Sequence, residues 1–405
     1  MPITRRAILG ASAVAGLAAR PLVCAPAPTI RIGVLTDMST GGRDIAGPNS
    51  VACVRQAVQE FTAGRDIKVE VLVGDLQTKA DIGAAIARRW FDEQGVDVVV
   101  NVLVSSAALA VSNIAREKNK VALICASTTE LTGRQCSPNT VHWSHDTWML
   151  AKSTASSIVK DGGDSWFLIA PNYTFGRQLA QDATRFIVEG GGKVLGSATF
   201  PFPETTDFSA YLQQAGASGA KVLGLCTGAV DTVNSVKQAH EFKLNQTMLI
   251  APMLMTVVDV HALGSGTAQG LRFTESFYWD LNDRTRAFTD RLRPKIGRVP
   301  TMFQAGDYAA SLHYLKAVAD MGVPAAKADG RAVVARMKAL PTDDDCFGKG
   351  YVRGDGRKIH PSYLFQVKSP DESKEEWDLY KLIATTPAGD AFRPLSEGGC
   401  PFVHT

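Results

Sequence analysis

Apolar runs rich in β-branched residues alternate along this chain with segments whose apolar positions recur every three or four residues. Ile30–Thr36 (IRIGVLT) reads as a strand, and Val51, Val54, Val58 and Phe61 then share one face of a helix. The series continues without a break: strand 67–73, helix 82–91, strand 96–104, helix 107–117 and strand 121–125. Such a run is the mark of βαβ units around a parallel sheet with both faces covered. The same grammar restarts near residue 148 with helix 149–160, strand 166–169, helix 178–189, strand 193–200, helix 208–215, strand 221–225, helix 230–242 and strand 248–251. Two similar α/β lobes follow from this repeat of pattern, although no residue motif repeats between them.

The last third departs from alternation. Segments 288–293, 308–321 and 332–340 read as helices, two strands flank Gly354-Asp355-Gly356, and a final strand spans 377–384. The Asp-Gly step is a strong hairpin signal. Short hinge segments are expected between the lobes, since the chain has no long linker or low-complexity tract.

Composition changes this picture little, whereas charge placement changes it more. The 405 residues carry 43 Lys and Arg against 40 Asp and Glu. The excess of three is Arg5, Arg6 and Arg20, within a first 27 residues that hold no acid. Residues 1–27 read as an export leader: Arg5-Arg6 precedes the short apolar run AILGASAVAGLAA, and Ala25-Pro26-Ala27 resembles a small-x-small cleavage site. The paired arginines resemble a twin-arginine signal, which places the mature chain in the periplasm. Lipidation at Cys24 is disfavoured, because Pro21-Leu22-Val23 lacks the usual small residue. Without the leader, cations and anions balance, so steering toward a polyanion is not expected and no nucleic-acid partner is implied.

Six cysteines remain, Cys53, Cys125, Cys136, Cys226, Cys346 and Cys400, and no pair has CxxC spacing. Cys125 and Cys226 end apolar runs and read as buried hydrophobes, while Cys136, Cys346 and Cys400 are the better disulfide candidates. The chain lacks a GxSxG elbow, a GxxxxGK loop and HExxH. Gly264 to Gly270 has the wrong spacing for a dinucleotide loop and reads as a plain loop. His142 and His145 would not converge on a metal from a strand, and Asp343-Asp344-Asp345 reads as a solvated turn. No metal site and no cofactor are expected.

What the pattern does offer is hydroxyls at the carboxyl ends of predicted strands. Ser39 and Thr40 follow the first strand, Ser105 and Ser106 the third, and Ser127-Thr128-Thr129 the fourth. Ligands of open parallel sheets bind at that edge, where helix N-termini also present unsatisfied N–H groups; together they favour a carboxylate.

The stretch IRIGVLTDMST…DIAGPNSVACVRQAVQEF resembles the opening of extracytoplasmic solute-binding proteins of the branched-chain amino-acid type, which serve ABC importers. Similar agreement occurs at REKNKVALICASTTELTG, CSPNTVHWSHDTWMLA, GGDSWFLIAPNYTFG, FYWDLNDRTRAF, PTMFQAGDYAASLHYLKAV, FGKGYVRGDGRKIHPSYLF and AFRPLSEGGCP, covering essentially the whole mature chain. The later blocks resemble a subgroup that often binds aromatic or other organic carboxylates. The resemblance implies a type I periplasmic binding fold: α/β, two similar doubly wound parallel-sheet lobes joined by a three-strand hinge. The expected division is 28–145 with 279–345 for one lobe, and 146–278 with 346–405 for the other, including a C-terminal hairpin and tail.

Carried over residue by residue, the resemblance places Ser105 and the Ala126-Ser127-Thr128 loop on a ligand carboxylate. Tyr173 and Phe175 match an aromatic covering loop, and Glu275 with Tyr278 falls where amino-acid binders place the acid that pairs with an ammonium group. Gln304 lies in a hinge-side block, Ser39 in the first loop, and His145 where a tyrosine is frequent. Departures are Gly42, beside Gly41, where a tyrosine is common, and Leu103-Val104 where Pro-Asn is common. Loss of that aromatic wall predicts a wider or looser pocket. The expected function is capture of an amino acid or small, aromatic or other, carboxylate by a monomer that docks on an ABC permease. An exported enzyme and a ligand sensor are the alternatives.

Overall fold

The computed structural model describes residues 28–403. The leader over 1–27, with its paired arginines and Cys24, lies outside the described residues. The first sheet is built from β1 (Ile30–Thr36), β2 (Val69–Asp75), β3 (Val98–Asn101), β4 (Val121–Ile124) and β5 (Thr140–His142). All pair in parallel, in the order β2-β1-β3-β4-β5. The connecting helices are α1 (Gly47–Thr62), α2 (Ala80–Asp92) and α3 (Ser105–Glu117). Every residue of β3 and β4 is buried, as helices on both faces require, and α1 buries the stripe Val51, Val54, Ala57 and Phe61. β3 stops short of the expected residue 104 because Asn101 (φ 82°) and Val102 (φ 52°) turn the chain into α3.

The second sheet repeats the plan with α4 (Thr147–Lys160), β6 (Ser165–Pro171), α5 (Thr174–Glu189), β7 (Lys193–Phe200), α6 (Ser209–Ala217), β8 (Val222–Leu225), α7 (Ala229–Glu241) and β9 (Leu249–Pro252). Its strands are parallel in the order β7-β6-β8-β9. Next come α8 (Val257–Leu263), α9 (Ser265–Ala268) and β10 (Arg272–Glu275), so the Gly264 to Gly270 segment holds one short helical turn.

The chain then returns to the first sheet. Of α10 (Asp283–Ile296), α11 (Met302–Met321), α12 (Val323–Ala328) and α13 (Gly330–Ala339), the first two pack on α1 and the last on β4 and α11. β11 (Thr342–Asp344), β12 (Gly348–Val352) and β13 (Lys358–Ile359) form the antiparallel hairpin that Asp355-Gly356 signals. This hairpin packs on α13 and extends past β5 through an Arg357–His142 bridge. It therefore sits with the first sheet, whereas the expected division put 346–359 with the second. β14 (Ser362–Val367) pairs antiparallel with β10 on one side and with β15 (Tyr380–Thr386) on the other, forming a separate sheet against α4. The chain passes between the two sheets three times, near 143–146, 276–282 and 360–361. The outer two passages are tied together: Arg357 donates to the carbonyls of Trp143 and Ser144 at 2.7 and 2.6 Å.

A tail with α14 (Ala388–Ala391) and α15 (Leu395–Gly398) straddles both halves. Cys400 is disulfide-bonded to Cys136 beside the first sheet, while Glu397 pairs with Arg185 of α5 at 2.8 Å. Cys346, a disulfide candidate from the sequence, is buried and unpaired, as are Cys53, Cys125 and Cys226. No described helix is long and apolar enough to cross a membrane.

Candidate functional site

A cavity of about 360 Å3 lies between the loops that leave the carboxyl ends of the two parallel sheets. From the first sheet's side come Thr40, Gly41 and Gly42 after β1, Thr78 and Lys79 after β2, Leu103 to Ser105 after β3, and Ser127 after β4. From the second come Tyr173 and Phe175 after β6, Phe202 and Pro203 after β7, Ala229 to Asp231 after β8, and Leu254 after β9. A pocket of this size with mostly apolar walls and a few placed polar groups is the general form of a small-molecule site. The two sides meet at the rim, where a Cβ on Gly41 would come within 2.8 Å of Val230 Cγ1.

Four helices begin on this cavity: α2, α3, α5 and α7. Their N-cap residues are Lys79, Val104, Tyr173 and Gly228, and none supplies a side-chain cap. Of the other helices of eight residues or more, α4, α10, α11 and α13 are capped by Asp146, Asn282, Thr301 and Asp329, while α1 and α6 are not. An uncapped helix leaves its first N–H groups unsatisfied and its positive dipole end bare, and at a cavity both favour an anionic ligand. The one carboxylate deep on this side, Asp37, is already spent: it accepts from the N–H groups of Thr40 and Gly42 at 3.1 and 2.9 Å and from the Thr78 hydroxyl at 2.7 Å.

Ser105 is the first residue of α3 and is buried at the cavity. Ser127 Oγ lies 2.8 Å from His145 Nε2. A serine beside an imidazole suggests a nucleophile and its base, but burial, then Arg357 and His360, lower the imidazole to about 3. A general base working near neutrality needs a value several units higher, so His145 is a neutral hydrogen-bonding prop for Ser127. His145 itself stands behind the cavity wall, its ring edge-on to Phe303 with centroids 4.5 Å apart. On the second lobe Tyr173 stacks on Phe202 at 4.3 Å, with Phe175 at 5.8 Å from Tyr173.

Of the residues singled out from the sequence, the structure brings Thr40, Gly41, Gly42, Leu103, Val104, Ser105, Ser127, Tyr173 and Phe175 onto the cavity. It places the others elsewhere, for identifiable reasons. Ala126 is core, and Thr128 caps the turn Thr129–Thr132 through the N–H of Glu130. The Ser39 hydroxyl donates to Asp75 at 2.6 Å on the outside of the rim. Gln304 spends its amide on two helix starts, accepting from the N–H of its own N-cap Thr301 and donating to the carbonyl of Ala46, the N-cap of α1, at 3.2 Å.

Glu275 and Tyr278 require the larger correction. The parallel order ends at β9, and β10 joins the antiparallel β14 and β15, so Glu275 is buried in that sheet facing Tyr380. Burial raises its carboxyl well above the ordinary range, which suits a neutral core group. Tyr278 donates to the Trp377 carbonyl at 3.0 Å in the middle passage between the lobes. The position after the last parallel strand is occupied instead by Leu254.

Phe303, Phe202 and Leu254 are cavity residues the sequence reading missed. Leu254 follows a strand end, the signal that located the serines. The gap left by Gly42 is also narrower than expected: a Cβ there would meet Leu103 Cδ2 at 2.3 Å, so Leu103 fills space that a side chain at 42 would need. Among the described residues no three His, Cys, Asp or Glu side chains converge as a metal site.

A profile of the family described as periplasmic binding protein matches residues 29–374. A periplasmic binding protein from Burkholderia mallei is 41% identical over 92% of this chain and 99% of its own, with a TM-score of 0.88. A branched chain amino acid ABC transporter periplasmic ligand-binding protein from Burkholderia xenovorans is 37% identical over 92% of this chain and 100% of its own, with a TM-score of 0.81. A solute-binding protein of an ABC transporter from R. palustris, solved with benzoate, shares the fold at 16% identity and a TM-score of 0.79, over 89% of this chain and 97% of its own. No curated protein matches the chain.

Proposed function

The chain belongs to the periplasmic binding protein family, and from that premise we propose that it captures a small carboxylate and delivers it to an ABC permease. The ligand is an aromatic carboxylate or an amino acid, held between two lobes in the periplasm after export by the twin-arginine route. One lobe comprises 28–145 with 279–359, the other 146–278 with 360–387, and the tail spans them. Ligand binding favours the closed arrangement of the two, in which Gly41 meets Val230.

The clustering of uncapped helix starts α2, α3, α5 and α7 around one mostly apolar cleft carries this reading. Unsatisfied amides with the Ser105 and Ser127 hydroxyls suit a carboxylate, and the Tyr173, Phe202 and Phe303 rings suit an apolar body. The low basicity of His145 supports binding without turnover. A thermal-shift screen pairing each acid with its methyl ester tests it. Aromatic carboxylates or branched-chain amino acids are expected to raise the melting temperature while their esters do not. Esters that stabilise as well as acids, or a product formed from either, would overturn the proposal.

A further inference from the structure

Asp231 is the one cavity-lining carboxylate that the fold leaves unengaged. It stands in the first turn of α7 and is only 7% exposed, and among the described residues it makes no hydrogen bond and no ion pair. It does not fold back onto its own helix start, since the N-cap Gly228 has no capping box with it. Its neighbours on the cavity wall are Val230, Ala229, Leu254 and the Tyr173 phenol, whose own proton its charge helps to hold. Burial, with nothing offsetting it, raises its carboxyl to about 7. Asp37, by contrast, has its oxygens filled by Thr40, Gly42 and Thr78. A buried carboxylate without a partner is costly to keep, and the open side of Asp231 is the cavity.

We propose that Asp231 determines specificity by accepting a hydrogen bond from a donor on the ligand, placed at the end remote from the carboxylate held by the first lobe. The ligand class is then a carboxylate whose apolar body carries a hydroxyl or amino group at its far end. The anionic end faces Ser105, Ser127 and the start of α3, and the donor crosses the cleft to α7. This inference rests on the carboxylate reading above and adds the second polar contact that Glu275, buried behind the lobe, does not provide. A ligand without the donor leaves Asp231 desolvated and unpaired, so the site rejects it.

Calorimetric titration of the mature protein with benzoate, 4-hydroxybenzoate and 4-aminobenzoate at pH 8 tests this, in the native chain and in Asp231→Ala and Asp231→Asn. The native protein is expected to bind one of the donor-bearing acids about tenfold or more tightly than benzoate, and the two donor arms separate hydroxyl from amine. Asp231→Ala should bring that ratio close to one while benzoate binds as well as before or better. Asp231→Asn keeps an acceptor and the shape, and should fall between. A ratio unchanged in Asp231→Ala, or a native preference for benzoate, overturns the role of Asp231 while leaving the carboxylate reading intact. Folded protein that binds none of the three acids overturns the role of Asp231, and if it binds no branched-chain amino acid either, the carboxylate reading falls with it.

Discussion

Replacing Asp307 by Asn should stabilise the protein, and increasingly so as pH rises. Asp307 lies on α11 beneath the turn from β3 to α3, completely enclosed, with Asn101 Nδ2 donating to it at 2.6 Å. No cation pairs with it among the described residues; the groups it influences include the Cys53 and Cys125 thiols. Burial raises its carboxyl from 3.8 to about 7, offset only in part by Ser50 and Asn101. The folded state thus holds the proton more tightly than the unfolded chain does. The stability this confers is whole below about pH 4 and gone above about pH 7. Three units at about 1.4 kcal/mol each is roughly 4 kcal/mol in all, of which ~3 kcal/mol falls between pH 5 and pH 8. Asn keeps the acceptor for Asn101 and cannot ionise. Urea denaturation of both proteins at pH 5 and pH 8 should therefore show the variant gaining on the native chain by about that amount, with other carboxyls cancelling in the difference. Parallel pH profiles would refute the assignment of a buried, proton-hungry Asp307.

Gly41→Leu drives a side chain into Val230, since its Cβ alone would lie 2.8 Å from Cγ1; titration should show ligand affinity falling about tenfold or more, with recovery in Gly41→Leu/Val230→Gly. Gly42→Tyr should abolish binding because its Cβ overlaps Leu103 at 2.3 Å, and Leu103→Ala in the same chain should restore part of it; equal affinity of Gly42→Tyr and the native chain would show that this corner does not contact the ligand. Cys400→Ser removes a crosslink spanning 264 residues that anchors the tail; urea midpoints should drop by the equivalent of about 2–5 kcal/mol, and the native protein should fall likewise in reductant.

Both parallel sheets were legible from alternation, because strands buried on two faces read as apolar runs and their covering helices keep a helical period. The serines of the first lobe were legible from the strand-end rule, which also points to Leu254. Glu275 misled because sequence order continues past β9 while the parallel sheet does not; only the pairing of β10 with β14 shows that its carboxyl faces Tyr380. Gln304 is the third position of a Thr-x-x-Gln capping box with Thr301, a local signal that already assigns its amide to the helix start. Phe303, one residue earlier, gives no such signal, because α11 is buried on nearly every side and periodicity cannot say which face meets a cavity. The partnership of Cys136 and Cys400 and the docking of 346–359 on the first sheet are long-range facts that local pattern does not contain.

The cleft of this protein is thus read as holding a carboxylate against the first lobe while both lobes close on its body. A crystal structure of the mature protein grown with the acid that stabilises it most tests this directly. One ligand is expected in the cleft, its carboxylate within hydrogen-bond distance of the Ser105 and Ser127 hydroxyls and the first amides of α3, with Tyr173 over its body. A ligand bound elsewhere, or one whose carboxylate points away from α3, would contradict it.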